Sequence, residues 1–135
     1  MDIEAAIVAK LVDTPAVFAL IGTRLYPDQA PEDAAAPFVE YGEASAERRR
    51  TMNGFVSLRR WSMHLDIYAT RKREAKAVRV AIEAAILGAK WENDSVAVRG
   101  VYDEDSESGA EPPYPGDELG LYRMGVDLAI HYRQS

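Results

Sequence analysis

At 135 residues, with a net charge of −6 at neutral pH and no cysteine, the chain is long enough for one real core and too short for two. The lack of cysteine excludes disulfides, thiolate chemistry and cysteine-ligated zinc, and the acidic balance opposes generic phosphate binding unless basic residues are concentrated somewhere. No apolar run approaches the roughly 18 residues of a membrane span, and the acids in MDIEAAIVAKL are unlike the cationic start of a signal peptide, so one domain over residues 1–135, made in the cytoplasm, is the expectation.

The first stretch reads as a helix capped by Asp2, with Ile3, Ile7, Leu11 and Val8 on its apolar stripe. Thr14-Pro15 starts a second helix, with Pro15 at the first helical position, and Gly22 stops it. Arg24-Leu25-Tyr26-Pro27 is a short extended piece. DQAPEDAAA, residues 28–36, is a loop, and 37–43 is a strand carrying Phe38, Val39 and Tyr41. Asn53-Gly54 then marks a hairpin, because a type I′ turn needs positive φ at both central residues. One arm ends near Met52 and the other starts near Phe55, with a polar tip projecting beyond the sheet.

Residues 58–87 carry the clearest signal in the chain. Trp61, Met63, Leu65, Ile67 and Ala69 alternate with Arg60, Ser62, His64, Asp66 and Tyr68, which is a strand with one apolar face. The period then changes. Ala75, Val78, Ile82, Ala85 and Ile86 recur at three- and four-residue steps, which is a helix lying across that strand. Thr70 is its expected N-cap, and Gly88 its left-handed stop. Residues 96–102 form a further strand, with Val96, Val98 and Tyr102 on opposed registers. Residues 103–116, DEDSESGAEPPYPG, form an acidic loop. In the last stretch Tyr122, Met124, Val126, Leu128, Ile130 and Tyr132 alternate with Arg123, Gly125, Asp127, Ala129, His131 and Arg133. The fold class is therefore α+β, with an antiparallel or mixed sheet of four or five strands and helices packed on one face.

Chemistry-bearing residues are few. His64 and Asp66 share the polar face of one strand, and Asp127 and His131 that of the last; if those strands are neighbours, two His and two Asp approach each other. Polar strand faces carry polar residues in any case, and no ligand pair has a diagnostic spacing, so no metal or other cofactor is expected. There is no nucleophile motif and no Gly-rich phosphate loop, so catalysis is not expected either. Charge placement says more. Arg48, Arg49, Arg50, Arg59 and Arg60 crowd the arms of the hairpin, while Asp103, Glu104, Asp105, Glu107 and Glu111 crowd the late loop. Such blocks are commonly solvated surface. They could also meet, within one chain or head-to-tail between copies, the kind of contact that closes rings.

The succession of an N-terminal helix, Arg24-Leu25-Tyr26-Pro27, Pro37-Phe38-Val39-Glu40-Tyr41 and Leu65-Asp66-Ile67-Tyr68-Ala69 with its helix continues through an acidic loop. Leu121-Tyr122-Arg123 and Asp127-Leu128-Ala129-Ile130-His131-Tyr132 follow. In this order the chain resembles the tail-completion or tail-terminator family of long-tailed phages, prophages and gene transfer agents. The resemblance implies a structural protein without a catalytic motif, whose copies form a hexameric ring on the head-proximal end of the tail. That ring would meet the major tail tube protein on one side and a head-side connector or stopper protein on the other. DNA would pass through its lumen only in transit, and no membrane is involved. Another neck or head–tail connector component is the neighbouring reading. Outside the family lie a nucleic-acid-binding module using the arginine hairpin, which steeply salt-dependent DNA binding would favour, and a small enzyme or ligand-binding domain on the polar sheet face.

Overall fold

The computed structural model describes residues 2–43, 58–93, 95–103 and 121–134. Its elements are α1 (Ile3–Val12), α2 (Pro15–Ile21), β1 (Leu25–Pro27), β2 (Phe38–Glu43), β3 (Leu58–Ala69), α3 (Lys72–Ile86), β4 (Trp91–Asn93), β5 (Val96–Asp103) and β6 (Tyr122–Gln134). The strands form one sheet in the order β1-β2-β3-β6-β5-β4. β1 runs parallel to β2 and every other pair is antiparallel, so the sheet is mixed.

Among the described residues the sheet has six strands where the sequence suggests four or five. The extra edges are β1 and β4, each only three residues long. A strand that short shows no measurable alternation, and both are held by a longer neighbour rather than by their own pattern.

β3 and β6 are the two longest strands and lie side by side at the centre, in register from Leu58↔Arg133 to Ala69↔Tyr122. Their alternation sorts side chains as the sequence requires. Trp61, Met63, Leu65, Ile67 and Ala69 face the helices with Met124, Val126, Leu128, Ile130 and Tyr132. α1 and α2 contribute Ile3, Ala6, Ile7, Leu11, Val17 and Ile21 to the same core, and α3 contributes Ala75, Val78, Ile82 and Ile86. Each large aliphatic side chain buried here stabilises the fold by about 1.5–3 kcal/mol.

Local signals set the boundaries. The Asp2 carboxylate accepts a hydrogen bond from the Ala5 amide at 2.8 Å, capping α1 as expected. Pro15 opens α2, and Gly22, at φ 57°, closes it. Arg24 then ties the helix end to the sheet, donating from Nε to the Pro37 carbonyl at 2.9 Å and from Nη2 to the Leu20 carbonyl at 3.1 Å. The α3 boundary differs from the Thr70 expectation. Arg71 is the N-cap residue, and no side chain caps this end. Cations at a helix N-terminus oppose the helix dipole by about 0.3–1 kcal/mol each, and α3 begins with Arg71, Lys72 and Arg73, with Glu74 as the acid of its first turn. At the other end Gly88 has φ 74°, and its amide donates to the Val101 carbonyl at 3.1 Å, so the left-handed turn also anchors the chain to β5.

β5 sends Tyr102 to the face opposite Val96 and Val98, and an irregularity in the strand is the reason. A register shift between Val98 and Gly100 inserts one extra residue, Arg99. Val96 and Val98 point to the core before it and Val101 after it. Tyr102 is thereby turned to the other face, where it is half exposed and its ring meets that of His131 edge-on at 5.3 Å.

Candidate functional site

The helices cover one face of the sheet. On the opposite face the central strands carry a charged network. The register sets His64 opposite Asp127 and Asp66 opposite Gly125, with Tyr68 opposite Arg123. His64 sits between two carboxylates. Its Nδ1 lies 2.5 Å from Oδ1 of Asp127 and its Nε2 lies 2.8 Å from Oδ1 of Asp66. That same Asp66 oxygen accepts from Nη1 of Arg123 at 2.5 Å. All four side chains are partly shielded, between 16% and 33% exposed.

This arrangement fixes the protonation of the imidazole. The hydrogen bond to Asp66 raises the His64 pKa to about 9; burial opposes the rise, and the bond to Asp127 and the charge of both carboxylates reinforce it. Burial pushes the Asp66 carboxyl up, but the His64 and Arg123 bonds outweigh that and hold it below its ordinary value. At neutral pH the cluster therefore contains His64 as a cation with both ring nitrogens donating. An imidazolium has no lone pair for a metal or for taking a proton. Among the described residues no group of three His, Asp or Glu side chains is arranged to hold a metal ion. His131, which the sequence places on the same polar face, lies four residues further along β6 and meets Tyr102 instead. The network can cross-link β3 to β6 and fix their register, and it offers a charged, hydrogen-bonding surface. Sequence reading found three of its members and missed Arg123, because only the register shows which cation faces Asp66.

Beside the network lies an aromatic strip. Phe38 stacks on Tyr68 with ring centres 5.1 Å apart and meets Tyr26 edge-on at 6.1 Å. Burial and the charges of Glu40 and Asp66 keep the Tyr68 hydroxyl in its neutral form.

Of the residues singled out by charge, Arg59 and Arg60 are exposed at the start of β3, opposite Tyr132 and His131, and Asp103 is exposed at the end of β5. The register separates Arg60 from Asp103 by the width of β6 and by three residue steps, since His131 faces Arg60 on one side and Gly100 on the other. Arg48, Arg49 and Arg50, the Asn53-Gly54 turn, and Glu104, Asp105, Glu107 and Glu111 lie outside the described residues.

A family model described as "Tail completion protein gp17" matches residues 5–114 of the 135. The chain belongs to this tail-completion family. It is a structural protein of phage-type tails, the class that the order of its motifs resembles. A chain in the solved structure described as the virion of a native gene transfer agent particle shares its fold. The TM-score is 0.70 at 18% identity, covering 98% of this chain and 93% of that one. No curated protein matches.

Proposed function

We propose that this tail-completion protein forms a ring on the head-proximal end of the tail tube, where it ends tube polymerisation and offers the surface to which the head-side connector binds. Family membership over residues 5–114 is the observation that carries this reading. The open sheet face agrees with it, because its His64 is held as a cation between carboxylates, a state suited to holding strands together rather than to moving protons. In this reading copies of the chain, six in the ring that the resemblance implies, contact the major tail tube protein on one side and the connector on the other. DNA crosses the lumen only in transit, and the protein stays in the finished particle after assembly in the host cytoplasm.

Within the ring, the arginines at 48, 49, 50, 59 and 60 meet an acidic protein surface. That surface is the block of Asp103, Glu104, Asp105, Glu107 and Glu111 on a neighbour, or an acidic face of a tail or connector protein. A protein partner suits a lumen that must release DNA freely.

Deletion of the gene tests the role. Tails of uncontrolled length, or tails that never join filled heads, are the expected result. Empty heads beside tails of normal length would place the protein in packaging instead. Electron microscopy of intact particles should show its density at the head-proximal tube end. Changing Arg48, Arg49 and Arg50 to Glu should block joining while leaving the monomer folded, and joining at the wild-type level would remove the hairpin from the interface.

A further inference from the structure

Two grooves border the helical layer, and they carry opposite charge. One runs between α3 and β6, about 660 Å³ in volume, with Lys72, Arg73, Lys76 and Arg79 and a single acid, Glu83, around Val80 and Met124. The other, about 520 Å³, runs between α1 and β2, with Asp2, Glu4 and Asp13 around Val8, Val12 and Tyr41. β2 and β6 are the strands on either side of β3, so the grooves flank the centre of the sheet from opposite directions.

Among the described residues the acidic groove is lined by no cation, and the basic groove by one acid, Glu83. Among the described residues Lys72, Arg73 and Lys76 have no ion pair, while Arg79 is bonded to Glu83 at 3.1 Å. Two of the α3 cations, Lys72 and Arg73, sit in the first turn, where the dipole is already positive, and no side chain caps it. In the other groove, burial raises the Glu4 carboxyl above its ordinary value, and the nearby charges of Asp2 and Asp28 raise it further. Burial and the same acids raise Tyr41. Each groove also exposes apolar surface between its charges, with Val80 55% exposed in the first. Like charges held together around an apolar strip cost stability in a monomer; facing the opposite arrangement, both the repulsion and the exposed strip are relieved.

We propose that the basic α3 groove of one copy seats on the acidic α1 face of the next, forming the lateral contact of the ring. The inference rests on the ring reading above and names the surfaces that build it. Because two different patches meet, the contact is heterologous. It closes into a ring when the rotation between copies closes.

Because the protein has no cysteine, single cysteines provide a clean probe. Chains carrying Ala5→Cys and chains carrying Lys76→Cys are co-expressed, assembled into particles and mildly oxidised. Covalent dimers are expected from the mixture and none from either variant alone. Dimers from a single variant alone would mean a two-fold contact, and no dimers from the mixture would mean that the grooves do not meet. Either result overturns the proposal.

Charge reversal gives an independent arm. Lys72→Glu with Arg73→Glu and Lys76→Glu should reduce incorporation into particles at least tenfold. Glu4→Lys with Asp13→Lys should do the same, and all five changes in one chain should restore incorporation. Circular dichroism and a thermal melt confirm that each variant folds. Wild-type incorporation by either reversed variant rejects the contact, as does failure of the combined chain to recover. Duplex DNA binding by the purified wild-type protein that is lost in the α3 variant would assign that groove to nucleic acid instead. Wild-type particles with no density for the chain at the tube end would defeat the ring reading itself, an outcome distinct from all of these.

Discussion

Leu65 and Asp66 are neighbours in sequence and opposites in environment. Leu65 has no solvent exposure and packs among the helices; Asp66, on the other face of the same strand, is 22% exposed and bonded to His64 and Arg123. The two faces of this sheet divide the work. The helical face holds apolar contacts whose strength depends on area and fit. The open face holds hydrogen-bonded charges, whose net contribution is smaller because water competes for them and whose value lies in geometry. A change on the first face should therefore act through stability, and one on the second through strand register, pH response and what the surface can bind.

The largest effect expected on this contrast is Leu65→Ala. Removing a fully buried leucine from the strand at the centre of the sheet should cost about 2–5 kcal/mol, a large share of the roughly 5–15 kcal/mol that holds a domain of this size. Urea denaturation of the purified protein measures it. A loss below about 1 kcal/mol would mean that the site collapses around the gap and that the helical face is less closely packed than its burial indicates.

Asp66→Ala comes next. It leaves His64 with one carboxylate and removes the Arg123 ion pair. Hydrogen bonds to charged groups contribute about 1.5–3 kcal/mol when buried, and discounting for the partial exposure of this network gives about 1–2 kcal/mol. The sign of its pH dependence follows from the direction of the shift. The folded-state pKa of Asp66 is depressed, so its contribution is present above the ordinary value of 3.8 and is lost as pH falls through the lower folded value. In acid, wild type and Asp66→Ala should converge in stability. Parallel curves across that range would mean that the carboxylate is not held by its partners.

The two faces also differ in how far the sequence reveals them. Period-two alternation from Trp61 to Ala69 and from Tyr122 to Tyr132 identifies the helical face almost residue by residue, because burial selects apolar side chains whatever their neighbours are. The open face depends on register, which alternation does not carry. His64, Asp66 and Asp127 are visible as polar positions on two strands, but their convergence needs the pairing His64↔Asp127, and the exclusion of His131 needs the same pairing. Other misses have local causes. The bulge at Arg99 moves Val101 into the core by breaking the period, and β1 and β4 are too short to show one. Arg71 takes the N-cap position although Thr70 is the better capping residue, and α3 starts at Lys72, beyond the last residue of β3 paired with β6, Ala69. The α3 cations lie together in residues 72–79 and the α1 acids in residues 2–13, but the grooves exist only once folding sets α3 beside Met124 of β6 and α1 beside Tyr41 of β2.

The smallest and most specific effect is expected at His64. The change His64→Gln keeps a polar side chain at the position but removes the titrating cation between the two carboxylates. At neutral pH it should cost on the order of 1 kcal/mol, since the imidazole is 32% exposed and solvent screens part of the attraction. Its signature is the pH profile. The folded-state pKa is raised from the ordinary 6.5 to about 9, so the contribution of His64 is fully present below pH 6.5 and is lost as pH rises through 9. Wild-type stability in urea should fall across that window, and the fall should be absent in His64→Gln. Titration of the imidazole by NMR gives the same answer independently, with a midpoint near 9 in wild type. A midpoint near 6.5 would show that the carboxylates do not hold the proton, and the open face would then be a solvated polar surface rather than a bonded network. A midpoint near 9 that returns toward 6.5 in Asp66→Ala would assign the effect to the residue adjacent to Leu65, and so tie the chemistry of the open face to the same two positions that separate it from the core.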